Sequence, residues 1–147
     1  MPSTTTSSGE PRLRDIMSDD VATTTPSEPA QSAWERMQAR RLHHLVAVAN
    51  GEIVGVISSN DLGGARRATS SRMGRVVGEL MTSRVVTASP AATLREAAKL
   101  MLGESIGCLP IVERGKLAGI VTVSDLLARV AGAGAQPLRR RATRRAP

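Results

Sequence analysis

Aromatic side chains are nearly absent from this 147-residue chain: Trp34 stands alone, with no Phe and no Tyr. A stacking platform for single-stranded nucleic acid needs several aromatic faces, so that function is disfavoured. Cysteine is equally scarce. Cys108 is the only one, which rules out an intrachain disulfide and suits a reducing cytosol. Long apolar runs are missing as well. Stretches such as Leu45–Ala49 fall far short of the roughly 20 residues that cross a bilayer. The first fifteen residues, MPSTTTSSGEPRLRD, hold no apolar segment of the secretory-signal type. These absences predict a cytoplasmic protein without membrane contact.

What is present is ordinary for a soluble globular chain: 41% hydrophobic and 22% charged residues. The formal net charge of +7 is unevenly spread. Arg139, Arg140, Arg141, Arg144 and Arg145 crowd the end of the sequence, and without those five the body carries only +2. The basic character thus describes a tail more than a fold. Such a tail suits weak, sequence-independent binding to a phosphate backbone, with the rest of the chain as a dimerisation scaffold. No P-loop, G-x-G-x-x-G, G-x-S-x-G or zinc motif occurs, and no hydroxyl or carboxylate has a convincing base beside it. The expectation is a protein that is not an enzyme, needs no cofactor and binds no metal.

An internal repeat organises the chain. A shift of 64 residues pairs Met17 with Met81, Pro26 with Pro90, Met37 with Met101, Gly55 with Gly119 and Asp61 with Asp125. No gap is needed between Asp15 and Leu62, and about a quarter of the paired positions are identical. Each copy runs from a short segment, DIMS or ELMT, into an extended stretch, VATTTP or VVTASP. An amphipathic helix follows, its apolar face carried by Ala30, Ala33, Trp34 and Met37, or by Leu94, Ala97, Ala98 and Met101. Thr93 and Glu96 form a capping box, and Pro29 suits the first turn of the other helix. Two strands then flank Asn50-Gly51 or Arg114-Gly115, and a closing helix starts near Asn60 or Ser124.

The predicted fold is therefore α/β (α+β): two β-α-β-β-α repeats, residues 11–66 and 77–131, packed about a pseudo-two-fold axis and sharing a core. Residues 67–76 read as a linker, residues 1–10 as a disordered N-terminal segment and residues 132–147 as a disordered basic tail.

The strand-to-helix junctions carry the chemistry. GVISSNDLG and GIVTVSDLL place Ser58 three residues before Asp61, and Thr122 three before Asp125. Such pairs cap helices. They also suit a ligand. An ionised Asp is acceptor-only and matches the two donors of a ribose cis-diol. A hydroxyl and a helix N-terminus suit a phosphate.

The order DIM, V-x-T-x-x-P, helix, apolar strand, G-x-h-h-G-h-h-[ST]-x-x-D-[LI], present twice, resembles the CBS domain in tandem, the Bateman module. The likeness covers roughly Leu13 to Val130. It implies a stand-alone regulatory pair that binds an adenosyl ligand (AMP, ADP, ATP or S-adenosylmethionine), forms a homodimer and modulates a partner protein. The family's ribose and phosphate motif falls on Ser58 and Asp61, and on Thr122 and Asp125. Its adenine-facing backbone falls on His43, His44 and Leu45, and on Gly107, Cys108 and Leu109. Its extended stretch falls on Val21 and Thr23, and on Val85 and Thr87.

Blander roles compete with these. Adjacent strand residues face opposite ways, so His43 and His44 do not readily share a metal ion. Cys108 reads as inert apolar filler and Trp34 as a core or dimer contact. Arg66, Arg67, Arg72 and Arg75 read as a solvated face, from which one or two could reach a ligand's phosphates. The first copy departs from the pattern, with Val46 where the second has Pro110 and a His pair where it has Gly107 and Cys108. Its cleft is expected to be the narrower, and the second copy the better site.

Overall fold

Asn50 and Gly51 both adopt positive φ, 53° and 80°, and so do Arg114 and Gly115, at 53° and 78°. Two consecutive left-handed residues match the right-handed twist of paired strands, so each pair closes a tight hairpin. The computed structural model describes residues 9–63 and 72–132. In the first copy a short strand β1 (Thr23–Thr24) precedes helix α1 (Ala30–Arg40) and the hairpin β2 (His44–Ala49) and β3 (Glu52–Ser58). The second opens with helix α2 (Val77–Leu80), then α3 (Leu94–Glu104), β4 (Cys108–Glu113), β5 (Lys116–Thr122) and α4 (Val123–Ala131). A single 3-10 turn, Leu13–Asp15, holds the place of α2 in the first copy.

The two halves obey the 64-residue shift closely. β1 runs parallel to β2 through Thr24↔Ala47, and Ala88 bridges Ile111 in the same parallel sense. Both hairpins slip register at one place, between Ala47 and Val48 and between Ile111 and Val112. The predicted box at Thr93 forms, with the Glu96 amide donating to Thr93 Oγ1 and the Thr93 amide to Glu96 Oε1. Pro29 sits at the N-cap of α1, one position before the helix. The closing helix of the second copy begins at Val123. In the first copy Ser59–Gly63 are turns, and the rest of that expected helix lies outside the described residues, as do half of the linker and nearly all of the basic tail.

The opening segments are exchanged. The Leu13 and Arg14 amides donate to the Ala92 and Pro90 carbonyls of the second copy, at 2.8 and 2.9 Å. Reciprocally, the Val77 and Gly78 amides donate to Glu28 and Pro26 of the first, both at 2.9 Å. Ser18 then bonds Ile120 in both directions, and Thr82 bonds Val56 in both. Each hairpin thus gains an edge partner from the other copy.

The expected shared core is consequently two cores. Ala30, Ala33, Met37, Leu45, Ile57 and Leu62 pack with Val77, which comes from the second copy. Ala97, Met101, Leu109, Ile111 and Val121 pack with Leu13, which comes from the first. Exchange lets each small sheet bury an apolar face that its own sequence is too short to cover.

The copies differ beside α1. Glu28, only 17% exposed, accepts from Thr24, Ser32 and Arg36, whose guanidinium lies 2.7 Å away. The Arg36 hydrogen bond outweighs burial and holds the Glu28 pKa down from 4.5 to about 2. The equivalent second-copy positions include Ala88, Ala92 and Leu100, which pack on the apolar core instead.

Two predictions follow from this packing. A Cβ on Gly119 would lie 2.8 Å from Met17 Sδ and 2.9 Å from the Ser18 carbonyl. Gly119→Ala is therefore expected to destabilise by about 1–3 kcal/mol in urea unfolding, through overpacking. Because its folded pKa is depressed, Glu28 stabilises the fold fully above pH 4.5 and loses that contribution as pH falls towards about 2. Glu28→Gln should cost about 1–2 kcal/mol at pH 7 and much less at pH 2, measured by unfolding at both values.

Candidate functional site

Strand β5 ends at Thr122 because a capping box forms there. The Thr122 amide and hydroxyl both donate to Asp125 Oδ2, at 2.8 and 3.0 Å. The Asp125 amide donates back to Thr122 Oγ1 at 3.3 Å. In the first copy the Ser58 amide donates to Asp61 Oδ2 at 2.8 Å, and the Asp61 amide to Ser58 Oγ at 3.1 Å. The amides that follow are committed as well: Val123 donates to the Gly107 carbonyl and Ser59 to that of His43. Both motifs therefore cap their junctions, which leaves Oδ1 of Asp125 without a donor among the described residues.

Each motif opens onto a cleft walled by the other copy. Ser58 and Asp61 face Arg84, Val85, Ile106 and Cys108 across a cleft of about 170 Å³. Thr122 and Asp125 face Asp20, Ala22, Arg41 and His43 across one of about 470 Å³. Ligand sites commonly occupy about 300–1,000 Å³, so only the second has that size. Arg41 reaches its place as a left-handed C-cap of α1, with φ 58°; Ser105 repeats the device in the second copy, with φ 57°.

His44 and Gly107 wall both clefts. They face each other across the seam, and a Cβ on Gly107 would stand 3.4 Å from His44 Nε2. The imidazole thus occupies space that a side chain at 107 would need. Burial lowers the His44 pKa below 6.5, with His43 adding to the effect and Asp61 opposing it. Burial, seconded by Asp61, pushes the Cys108 thiol up to about 12. Cys108 is 4% exposed.

Among the anticipated contacts, Leu45 and Leu109 were expected to offer their backbone rather than their side chains. Both side chains are fully buried in the two cores and line neither cleft. Val21, Thr23 and Thr87 also line neither, whereas their neighbours Ala22 and Val86 do. Which residues of these extended stretches face a cleft is decided by how the two copies pack at the seam, which a copy-by-copy reading cannot detect. Asp20 was missed altogether; its second-copy equivalent is Arg84, and that charge reversal was a visible signal. Arg72 is corrected. It is 5% exposed, stacks 4.2 Å over the half-buried Trp34 ring and donates to Gln31 and the Leu62 carbonyl. That cation–π contact makes it part of the fold rather than a solvated face. Arg66, Arg67 and the terminal arginines lie outside the described residues. No metal-holding cluster and no helix long and apolar enough to cross a membrane occur among the described residues.

Two α+β repeats that trade opening segments and enclose clefts along their seam define a tandem-repeat module with paired inter-repeat clefts. The CBS domain model matches residues 13–65 and 77–132, so this chain belongs to the CBS domain family, as a tandem pair. It is 31% identical over 115 residues to the CBS domain-containing protein YhcV of Bacillus subtilis, a match spanning 78% of this chain and 81% of YhcV. It is 34% identical over 116 residues to a homoserine O-acetyltransferase of Methanococcoides burtonii, spanning 78% of this chain but only 23% of that enzyme. Among solved structures, the CBS domain pair of protein MJ0100, in complex with 5′-methylthioadenosine and S-adenosylmethionine, superposes with a TM-score of 0.73. It shares 26% identity, covering 83% of this chain and 96% of that one.

A buried thiol with a raised pKa is a poor nucleophile. In the folded protein Cys108 should react with an aromatic disulfide reagent at neutral pH at least about a hundredfold more slowly than a free thiol, and at the free rate in denaturant, followed by absorbance.

Proposed function

We propose that this CBS pair is a non-enzymatic regulatory module, cytoplasmic in location, that takes an adenosyl ligand in its inter-repeat clefts and passes the change in pair geometry to a partner protein. The observation that carries this reading is the composite cleft of about 470 Å³, in which Thr122 and Asp125 of one copy face His43 and His44 of the other. Its likeness to a solved pair that holds 5′-methylthioadenosine and S-adenosylmethionine supports the reading.

The proposed roles follow from the donors and acceptors. Asp125 Oδ1 accepts from a ribose hydroxyl while Oδ2 stays in the cap. Ala22 and Ile120 offer apolar surface to adenine, and the His43–His44 segment borders the same cleft. Ser58 and Asp61, with Val85, Gly107 and Cys108, form a second, narrower site.

A homodimer belongs to the same proposal. Leu102 on α3 and Leu127 and Val130 on α4 are 82%, 62% and 80% exposed. Apolar side chains this open suit burial against a second copy.

AMP or S-adenosylmethionine at a hundredfold over its dissociation constant should stabilise the protein by about 2.7 kcal/mol and raise its melting temperature in proportion. Asp125→Ala should lose most of that gain while costing about 1 kcal/mol for the cap and leaving the chain folded. A thermal-shift profile that stays flat with AMP, ATP and S-adenosylmethionine alike overturns the proposal.

A further inference from the structure

One side chain separates the two clefts. His44 lines both, and so does Gly107 opposite it. His43 lines only the larger cleft and Cys108 only the smaller, so neither neighbour reaches across. The tip of the imidazole makes the crossing: a Cβ on Gly107 would stand 3.4 Å from His44 Nε2 and 3.6 Å from Cε1.

The backbone on either side is fixed. His44 pairs with Ser58 across its hairpin, and Cys108 with Thr122 across the other. The Ser59 amide donates to the His43 carbonyl at 2.9 Å, and the Val123 amide to that of Gly107 at 3.1 Å. The imidazole is not held in this way. Neither ring nitrogen has a hydrogen-bond partner among the described residues, so packing alone sets the position of the ring. Gly107 puts no side chain in its path.

The repeat makes this partition one-sided. The 64-residue shift places Cys108 at the position of His44. The short Cys108 side chain stops in the smaller cleft, whereas the imidazole leaves the Ser58 junction and passes Gly107 to wall the larger cleft as well. Space that the ring yields to one cleft it takes from the other. With the ring where it stands, the larger cleft, at about 470 Å³, has ligand size and the smaller, at about 170 Å³, does not.

Building on the adenosyl reading above, we infer that the His44 ring makes the two clefts mutually exclusive, so that each chain takes one ligand at a time and a ligand in the larger cleft holds the smaller one shut. A ligand seated against the imidazole keeps it on the side of the smaller cleft. A shorter side chain at 44 removes the partition and with it the exclusion.

Native mass spectrometry and calorimetric titration of the full chain with AMP, ATP and S-adenosylmethionine test this. One equivalent should bind per chain, with a second at least about tenfold weaker, a coupling of ordinary size between sites. His44→Cys installs the residue that the fold already carries at the equivalent strand position, so this variant keeps the fold. It should tighten the second equivalent at least about tenfold and bring the stoichiometry to two per chain. His44→Gln, which keeps most of the bulk, should leave the stoichiometry at one. Two equal equivalents in the unaltered chain, only one in His44→Cys, or two in His44→Gln overturns the inference while leaving the adenosyl reading intact. Failure of all three compounds to bind overturns both.

Discussion

Everything in this protein depends on the close approach of each opening segment to the hairpin of the other repeat. Gly55 and Gly119 make that approach possible. With no Cβ at either position, Met81 and Met17 lie directly over the strand, and the Thr82 and Ser18 backbones complete its hydrogen bonding. Leu13 and Val77 are carried into the cores by the same crossing. Neither repeat is a closed unit, because each lacks one wall of its own core. Stability and the relative placement of the copies therefore come from one interaction.

The crossing also creates the clefts. Once each entry segment lies on the opposite hairpin, each strand-to-helix junction faces the other copy. A duplicated sequence would make two equal clefts. Here the copies diverge at the seam, where His43 and His44 oppose Gly107 and Cys108, and Asp20 opposes Arg84. Size and charge are thereby divided. One cleft is about 470 Å³ and lined by Asp20, Arg41 and Asp125; the other is about 170 Å³ and lined by Asp61 and Arg84. His44 belongs to both because Gly107 leaves its ring the room.

Much of this was legible in the residues. The 64-residue shift, the Asn50-Gly51 and Arg114-Gly115 turns and the box at Thr93 and Glu96 all depend on local chemistry, and all form. The pairing of Thr122 with Asp125 was equally plain. Arg72 was not. A polar linker gives no sign that one guanidinium will settle over Trp34, since that contact joins residues far apart in the chain. The burial of the Leu45 and Leu109 side chains was not legible for a related reason. Strand alternation says that neighbours face opposite ways, but only packing decides which way is inward.

By itself the sequence determined the repeat, the α+β units, their turns and caps, and the residue types available for binding, because these follow from short-range periodicity and hydrogen bonding. Only the tertiary structure decided which copy supplies each wall of each cleft, that there are two cores, and that Asp20 and Asp125 line the same cleft. Those outcomes rest on a crossing between segments far apart in the chain, Ser18 with Ile120 and Leu13 with Ala92, and local pattern holds no information about it.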